Sequence, residues 1–251
     1  MVRRRPDNRF QEILEAAAAV FIEHGYRRTQ MADVAAALGV AKGTLYLYFE
    51  SKEALFDAAL RYVDAGGERS APASLPVRTP TPAETLAYVR AELTRQSELP
   101  SLLSALATPT VEDIEAELSG ILFEVYDTLK RNRRRLKLLD RSARDYPEIA
   151  ALWFDGARGG LLSILDAYLD ERMSRGLLVR EGDTGVTTRL LLETLVFWAV
   201  HRHWDQPPQT SDPIEVGEDI ARSTVVRFLV RSLVVPKRPV AATRTRKEKK
   251  P

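Results

Sequence analysis

One short stretch of this 251-residue chain concentrates hydrogen-bond donors: Lys42, Gly43, Thr44, Tyr46 and Tyr48, with Lys52 a turn further on. A cation, a bare backbone segment, a hydroxyl and two phenols within about two helical turns can all donate to phosphate oxygens or base edges. That is the chemistry of nucleic-acid recognition. Tyrosines more commonly bury the ring and leave a wet hydroxyl. Here the two-residue spacing of Tyr46 and Tyr48 keeps both from one buried helix face.

Competing chemistries find little support. His24, His201 and His203 are the only histidines. A spacing of two on a helix makes His201 and His203 diverge, whereas i, i+4 ligands converge on a metal. Cysteine is absent, which excludes disulfides, thiolate metal sites and cysteine nucleophiles and fits a reducing compartment. No phosphate-binding glycine loop, nucleophile elbow or HExxH zinc motif occurs. Carboxylate pairs such as Asp113 with Glu115 and Asp166 with Asp170 read as solvated helix faces. No catalytic residue, metal or cofactor is expected, and the chain does not read as an enzyme.

The donors need a scaffold, and the apolar spacing supplies one. Phe10, Ile13, Leu14, Ala17, Ala18 and Phe21 form the i, i+3, i+4, i+7 stripe of an amphipathic helix ended by Gly25. Thr29 stands as an N-cap before a second helix with Met31, Val34, Ala35 and Leu38, which Gly39 ends as a left-handed residue. A third helix from Ala41 to about Tyr48 turns Leu45 and Phe49 inward, and Ser51 caps a fourth. Short helices about a glycine turn let one helix enter a major groove while another crosses the backbone.

Beyond this unit, Pro72, Pro76, Pro80 and Pro82 mark a linker, and helical patterns follow over about 83–98, 110–135, 148–175, 184–204 and 214–234. The fold class predicted is all-α. Its parts are a basic arm over 1–8, a helix-turn-helix domain with connecting helix over 9–65, a Pro-rich linker over 66–82, a larger helical domain over 83–235 and a basic disordered tail over 236–251.

Apolar residues make up 45% and charged residues 29%, ordinary values for a globular protein. The longest apolar stretch, Leu190 to Val200, is interrupted by Glu193 and Thr194, so no membrane association is expected and a cytoplasmic location is. The net charge of +2 is unevenly spread: seven basic residues against Glu248 occupy the tail, and Arg3, Arg4 and Arg5 the start. Such ends are usually solvated, but the arginines could enter a minor groove as an arm. Residues 1–65 carry as many acids as bases, so recognition there must rest on placed donors more than on net charge.

The run Gly25-Tyr26, Thr29, Asp33-Val34-Ala35, Gly39-Val40, Lys42-Gly43-Thr44-Leu45-Tyr46, Tyr48-Phe49 and Ser51-Lys52-Glu53-Ala54-Leu55 resembles the TetR/AcrR family of regulators. The resemblance covers roughly residues 9–56. It implies a homodimer reading a pseudo-palindromic double-stranded DNA operator, with a C-terminal domain that senses a small molecule and repression as the default. It further implies that Thr29, Gln30, Tyr46, Tyr48 and Lys52 hold phosphates, and that Lys42, Gly43, Thr44 and Leu47 lie nearer the bases.

The second half is less specific. Leu191, Leu192, Leu195, Val196, Ala199 and, toward its end, His203 on the helix over 184–204, and Ile220, Thr224, Phe228 and Leu229 on that over 214–234, are expected to pair with a second subunit as a four-helix homodimer interface, the alternative being packing within one subunit. Tyr88, Leu122, Phe123, Tyr126, Trp153, Phe154 and Trp198 are the candidates for a pocket that takes a hydrophobic or aromatic effector, although each taken singly is more often core than ligand contact. Two other functions remain open: an architectural nucleic-acid protein without ligand control, and a helical binding module whose helix-turn-helix has lost DNA contact.

Overall fold

The computed structural model describes residues 6–67, 70–96, 99–108, 110–204 and 216–235, and these form helices with irregular connections and no strand. The arm arginines Arg3, Arg4 and Arg5 and the tail from 236 lie outside the described residues.

Helix α1 (Pro6–His24) buries its whole predicted stripe, from Phe10 to Phe21. Gly25 ends it at φ +81°, a backbone conformation costly for residues with a Cβ. Its position is also crowded, because a Cβ there would stand 3.0 Å from the Arg141 carbonyl oxygen. α2 (Met31–Leu38) buries Met31, Val34 and Ala35. Its cap is Gln30, not Thr29: the Asp33 carboxylate accepts the Gln30 N–H at 2.7 Å. Thr29 turns inward instead and donates its hydroxyl to the Gly25 carbonyl at 2.7 Å. Gly39, at φ +66°, closes α2 with its N–H on the Ala35 and Ala36 carbonyls.

α3 (Lys42–Tyr46) is shorter than its sequence pattern, and Leu45 anchors it in the core. α4 (Lys52–Asp64) is capped by Ser51, whose hydroxyl accepts the Ala54 N–H at 3.1 Å. The proline-rich segment that follows is tied back onto this unit. Val77 donates its N–H to the Tyr48 carbonyl at 2.7 Å and accepts from Glu50, while Thr79 bonds the Glu50 carboxylate. Each of these bonds satisfies backbone groups that an unattached linker would leave to water.

The larger region comprises α5 (Pro82–Gln96), α6 (Pro100–Ala107), α7 (Ile114–Arg131), α8 (Arg133–Ala143), α9 (Pro147–Ala150), α10 (Gly159–Ser174), α11 (Thr184–Ala199) and α12 (Glu218–Leu233). Between α9 and α10 the chain stays helical but widens to a π-helix over Ala151–Arg158. The pattern over 110–135 is two helices, with the break at Asn132, and α8 carries the chain on to Ala143.

Two apolar clusters organise the molecule. The first joins α1–α4 to Val89 and Leu93 of α5, Leu138, Leu139 and Ala143 of α8, and Ile149 of α9. The second is built from α6, α7, α10, α11 and α12, and includes Leu136 of α8. One helix, α8, thus contributes to both, and Trp153 and Trp204 pack against both. No helix among the described residues is long and apolar enough to cross a membrane.

Candidate nucleic-acid interface and interior cavity

Burial of Leu45 decides what α3 presents. With that side chain fully enclosed, Lys42 and Gly43 are exposed, as are Tyr46 at 43% and Leu47 at 68%. Lys42 and Tyr46, four apart, lie on one side of the helix with the ammonium 5.9 Å from the ring centroid. A Cβ at Gly43 would meet nothing within 4 Å, so internal packing does not require glycine there. Its absent side chain instead leaves backbone open to an approaching ligand. Thr44 is half-buried, and Tyr48 is half-buried against the first cluster.

The structure separates the remaining candidates by role. Gln30 is exposed at the start of α2. Thr29 is 1% exposed, so its hydroxyl is committed to the interior. Lys52 is half-buried, with Nζ donating to the carbonyls of Tyr26 at 3.1 Å and Arg27 at 3.4 Å and lying 4.5 Å from the Tyr26 ring centroid. Tyr26 in turn donates its hydroxyl to Glu53 at 3.0 Å and packs on Phe21, Phe56 and Tyr146. Burial, and then the Glu53 carboxylate, push the Tyr26 phenol well above its ordinary range, so it stays a donor. Gly25-Tyr26 and Lys52-Glu53 are therefore two halves of one clasp that fixes the turn before α2 against α4. Arg27 and Arg28, exposed next to this turn, were not among the sequence candidates. An adjacent basic pair just before a capped helix was the available signal.

Inside the larger region lies a cavity of about 710 Å³, walled by α5–α8, the π-helix, α10 and α11. Its lining is mainly aliphatic, with Leu102, Val125, Leu129, Leu161 and Val196 among the walls. Of the seven sequence candidates, Trp153 and Phe154 line it. The other five stand elsewhere, because large rings were used to fill the cores and the charged layers over them. Leu122 and Tyr126 are fully buried in the second cluster, the latter donating to Glu218 at 2.9 Å. Arg222 lies over Phe123 at 4.2 Å, Arg202 over Trp198 at 5.8 Å, and Tyr88 donates to Asp64 at 2.7 Å.

The last helices also divide. Leu191, Leu192, Leu195, Ala199 and Leu229 are consumed by the subunit's own core. Val186, Leu190 and Phe197 on α11, with Ile220 and Phe228 on α12, stay exposed at helical spacing, Phe228 at 70%. Among the described residues, no group of three or more His, Asp or Glu is placed to hold a metal.

Residues 13–59, from α1 into α4, match the profile of the bacterial regulatory proteins, tetR family. Residues 13–59 form a tetR-family domain. An HTH-type transcriptional regulator of Bacillus subtilis (strain 168), YfiR, is 30% identical over 143 residues, which is 56% of this chain and 61% of YfiR. The fatty acid metabolism regulator protein of the same organism is 43% identical over 53 residues, 21% of this chain and 26% of that protein. The transcriptional repressor KstR2 of Mycobacterium tuberculosis (strain H37Rv) is 46% identical over 55 residues, 22% of this chain and 28% of KstR2. A solved structure of the M. tuberculosis ketosteroid regulator KstR2 aligns with 94% of this chain and all of that one at 17% identity and a TM-score of 0.49. The sequence matches thus span from about a quarter to three fifths of the relatives' lengths.

Proposed function

We propose that this protein is a transcriptional regulator that binds a pseudo-palindromic operator as a homodimer and is released from it by a small hydrophobic effector. The observation that carries the reading is the exposed row on α3, Lys42, Gly43, Tyr46 and Leu47, held outward by Leu45 within a tetR-family domain. A helix of this kind reads base edges in the major groove while flanking donors hold phosphates. Gln30, Arg27 and Arg28 supply the flanking donors. Lys52 contributes by fixing the turn that carries them.

Two further features support the whole reading. The exposed apolar faces of α11 and α12 offer a self-complementary surface, which would place two α3 helices a fixed distance apart. The mainly aliphatic cavity is of the size that small-molecule sites occupy. Repression is the mode inferred, as in the relatives named repressors.

Footprinting with the intergenic DNA beside the protein's own gene tests the proposal. Protection of one inverted repeat, lost in a Phe228→Glu variant that sediments as a monomer, is the expected result. Uniform affinity for unrelated duplexes would overturn it.

A further inference from the structure

The proline-rich segment between α4 and α5 is more than a connection. After leaving the end of α4 it returns to the start of that helix, where Val77 forms a single parallel bridge with Phe49, the third residue after α3. The Val77 N–H and carbonyl pair with Tyr48 and Glu50, and the Thr79 N–H is accepted by the Glu50 carboxylate at 2.7 Å. The hydroxyls of Thr79 and Ser51 share a further bond of 2.9 Å. The segment is thus a strap, fixed by its backbone against the exit of α3.

The bridge also sets which way the strap's side chains point. Phe49 is fully buried, and Val77 packs on the same apolar cluster. Successive side chains of an extended chain face opposite ways, so Arg78 turns outward, to the side on which Glu50 is exposed. Its side chain is 68% exposed. A recognition helix meets base edges with its N-terminal residues, so the chain leaving its other end passes the phosphate wall of the groove. Arg78 stands beside that exit.

Its present partner is easily exchanged. Arg78 Nη2 lies 2.7 Å from Glu84 Oε1, with the two side chains 68% and 46% exposed, and an ion pair so open to water holds weakly. Glu84 has separate work at the start of α5, where its carboxylate accepts the Thr81 N–H at 2.7 Å and the Thr81 hydroxyl accepts the Glu84 N–H at 3.2 Å. Glu84 and Glu50 each keep a backbone N–H of the strap, from Thr81 and Thr79, when the guanidinium swings away.

We propose that the strap over 70–81 flanks the DNA, and that its Arg78 leaves Glu84 for a backbone phosphate beside the C-terminal end of α3. The inference rests on the DNA-binding reading and adds to it a contact from outside the tetR-family domain of residues 13–59. A guanidinium binds phosphate through two parallel N–H bonds, a geometry that a carboxylate shared with a helix cap does not surpass. Residues 1–65 carry no excess of positive charge, so a cation delivered to this edge from residue 78 adds to a field that is otherwise balanced.

The test is fluorescence anisotropy of the full-length protein with its own operator and with an unrelated duplex, each over a salt series. Arg78→Ala should weaken binding to both duplexes about threefold to tenfold and lower the salt slope by about one for each subunit bound, with urea stability unchanged. Arg78→Lys should keep the slope. Arg95→Ala removes an equally exposed, carboxylate-paired arginine at the other end of α5 and should leave binding unchanged. Glu84→Gln, which preserves the cap, should tighten binding about threefold, and that gain should vanish when Arg78→Ala is also present. An Arg78→Ala slope equal to that of the wild type, or a loss no larger than that of Arg95→Ala, would overturn the strap contact. Weakened binding at full slope would make Arg78 a structural residue only and overturn it equally. Equal affinity of the wild type for both duplexes, with the slope still lost in Arg78→Ala, would remove the operator and leave the strap contact standing.

Discussion

The helix-turn-helix and the cavity are built on opposite plans. In the first, the caps and turns are set by contacts short in sequence, Gly25 on Phe21, Thr29 on Gly25, Gln30 on Asp33, Gly39 on Ala35 and Ala36, and Ser51 on Ala54, with the Lys52 clasp on Tyr26 and Arg27 the longer-range exception. In the second, the walls come from seven elements between Arg90 and His201, and the decisive contact, Arg135 with Asp64, spans 71 residues. Local rules for caps and turns therefore govern the surface that would meet DNA. The interior that would meet a ligand depends on how whole helices stack. A regulator assembled this way can keep its DNA-facing face while its interior varies.

The sharpest way to break this comparison is to ask whether the regions unfold separately. Phe56 of α4 packs on Phe21 and Tyr26 in the first cluster, so Phe56→Ala should cost about 3–5 kcal/mol. Because α8 and α9 share that cluster, helix loss by circular dichroism and exposure of Trp153, Trp198 and Trp204 by fluorescence should coincide in urea. Two separated transitions would mean that the cores are independent.

A smaller effect probes the DNA-facing surface alone. Lys42→Ala combined with Tyr46→Ala should weaken operator binding about 10–100-fold and lower the salt slope by about one, with urea stability unchanged. Gly39→Ala tests the local rule directly. Open space surrounds the position, so only its backbone conformation opposes a Cβ, at about 1–2 kcal/mol in thermal or urea melts.

Acidity distinguishes the two plans more finely. Burial alone would raise the Glu218 carboxyl, but hydrogen bonds from Tyr126 and Arg133 outweigh it and hold the group below its usual value of 4.5. A carboxyl lowered in the folded state gives stability that is present above that value and lost as pH falls through the folded one. Glu218→Gln should therefore flatten the acid limb of the stability profile below about pH 5, by about 1 kcal/mol or less. Asp64 runs the other way. Its carboxyl is raised by burial, so its contribution is full at low pH and lost as pH rises through the folded value. Asp64→Asn should make stability less dependent on pH in the opposite sense, which a urea series from pH 4 to 7 would read.

How much was legible in the sequence follows the same division. The stripe of α1, the Gly25 and Gly39 stops, the Ser51 cap and the outward α3 donors all follow from spacing, because their causes lie within a turn or two of chain. The cap at Gln30 was missed by one residue, since Thr29 is a better capper in general but finds the Gly25 carbonyl here. For Lys52 the sequence shows only a donor, because no local rule shows that the carbonyls of Tyr26 and Arg27, 26 and 25 residues away, also lie beneath it. α8 was missed because Arg133, Arg134, Arg135, Lys137 and Arg141 hide the stripe of Leu136, Leu139 and Ala143. Two of those cations, Arg135 and Lys137, are themselves buried. Trp153 and Phe154 line the cavity and the other five pocket candidates stand away from it, because large apolar character marks burial of any kind, whereas empty space is defined by what the surrounding helices fail to fill.

The double membership of α8 bears on how such chains can be recombined. A chimera that grafts residues 1–65 onto another protein's second half would leave Phe21, Tyr26 and Phe56 without Leu138, Leu139, Ala143 and Ile149 as their floor, and Gly25 without the Arg141 carbonyl it was shaped to pass. The transferable unit is not the continuous N-terminal segment but that segment together with one face of a helix seventy residues downstream. Exchange of specificity between relatives is thereby limited to partners whose α8 already carries the matching face.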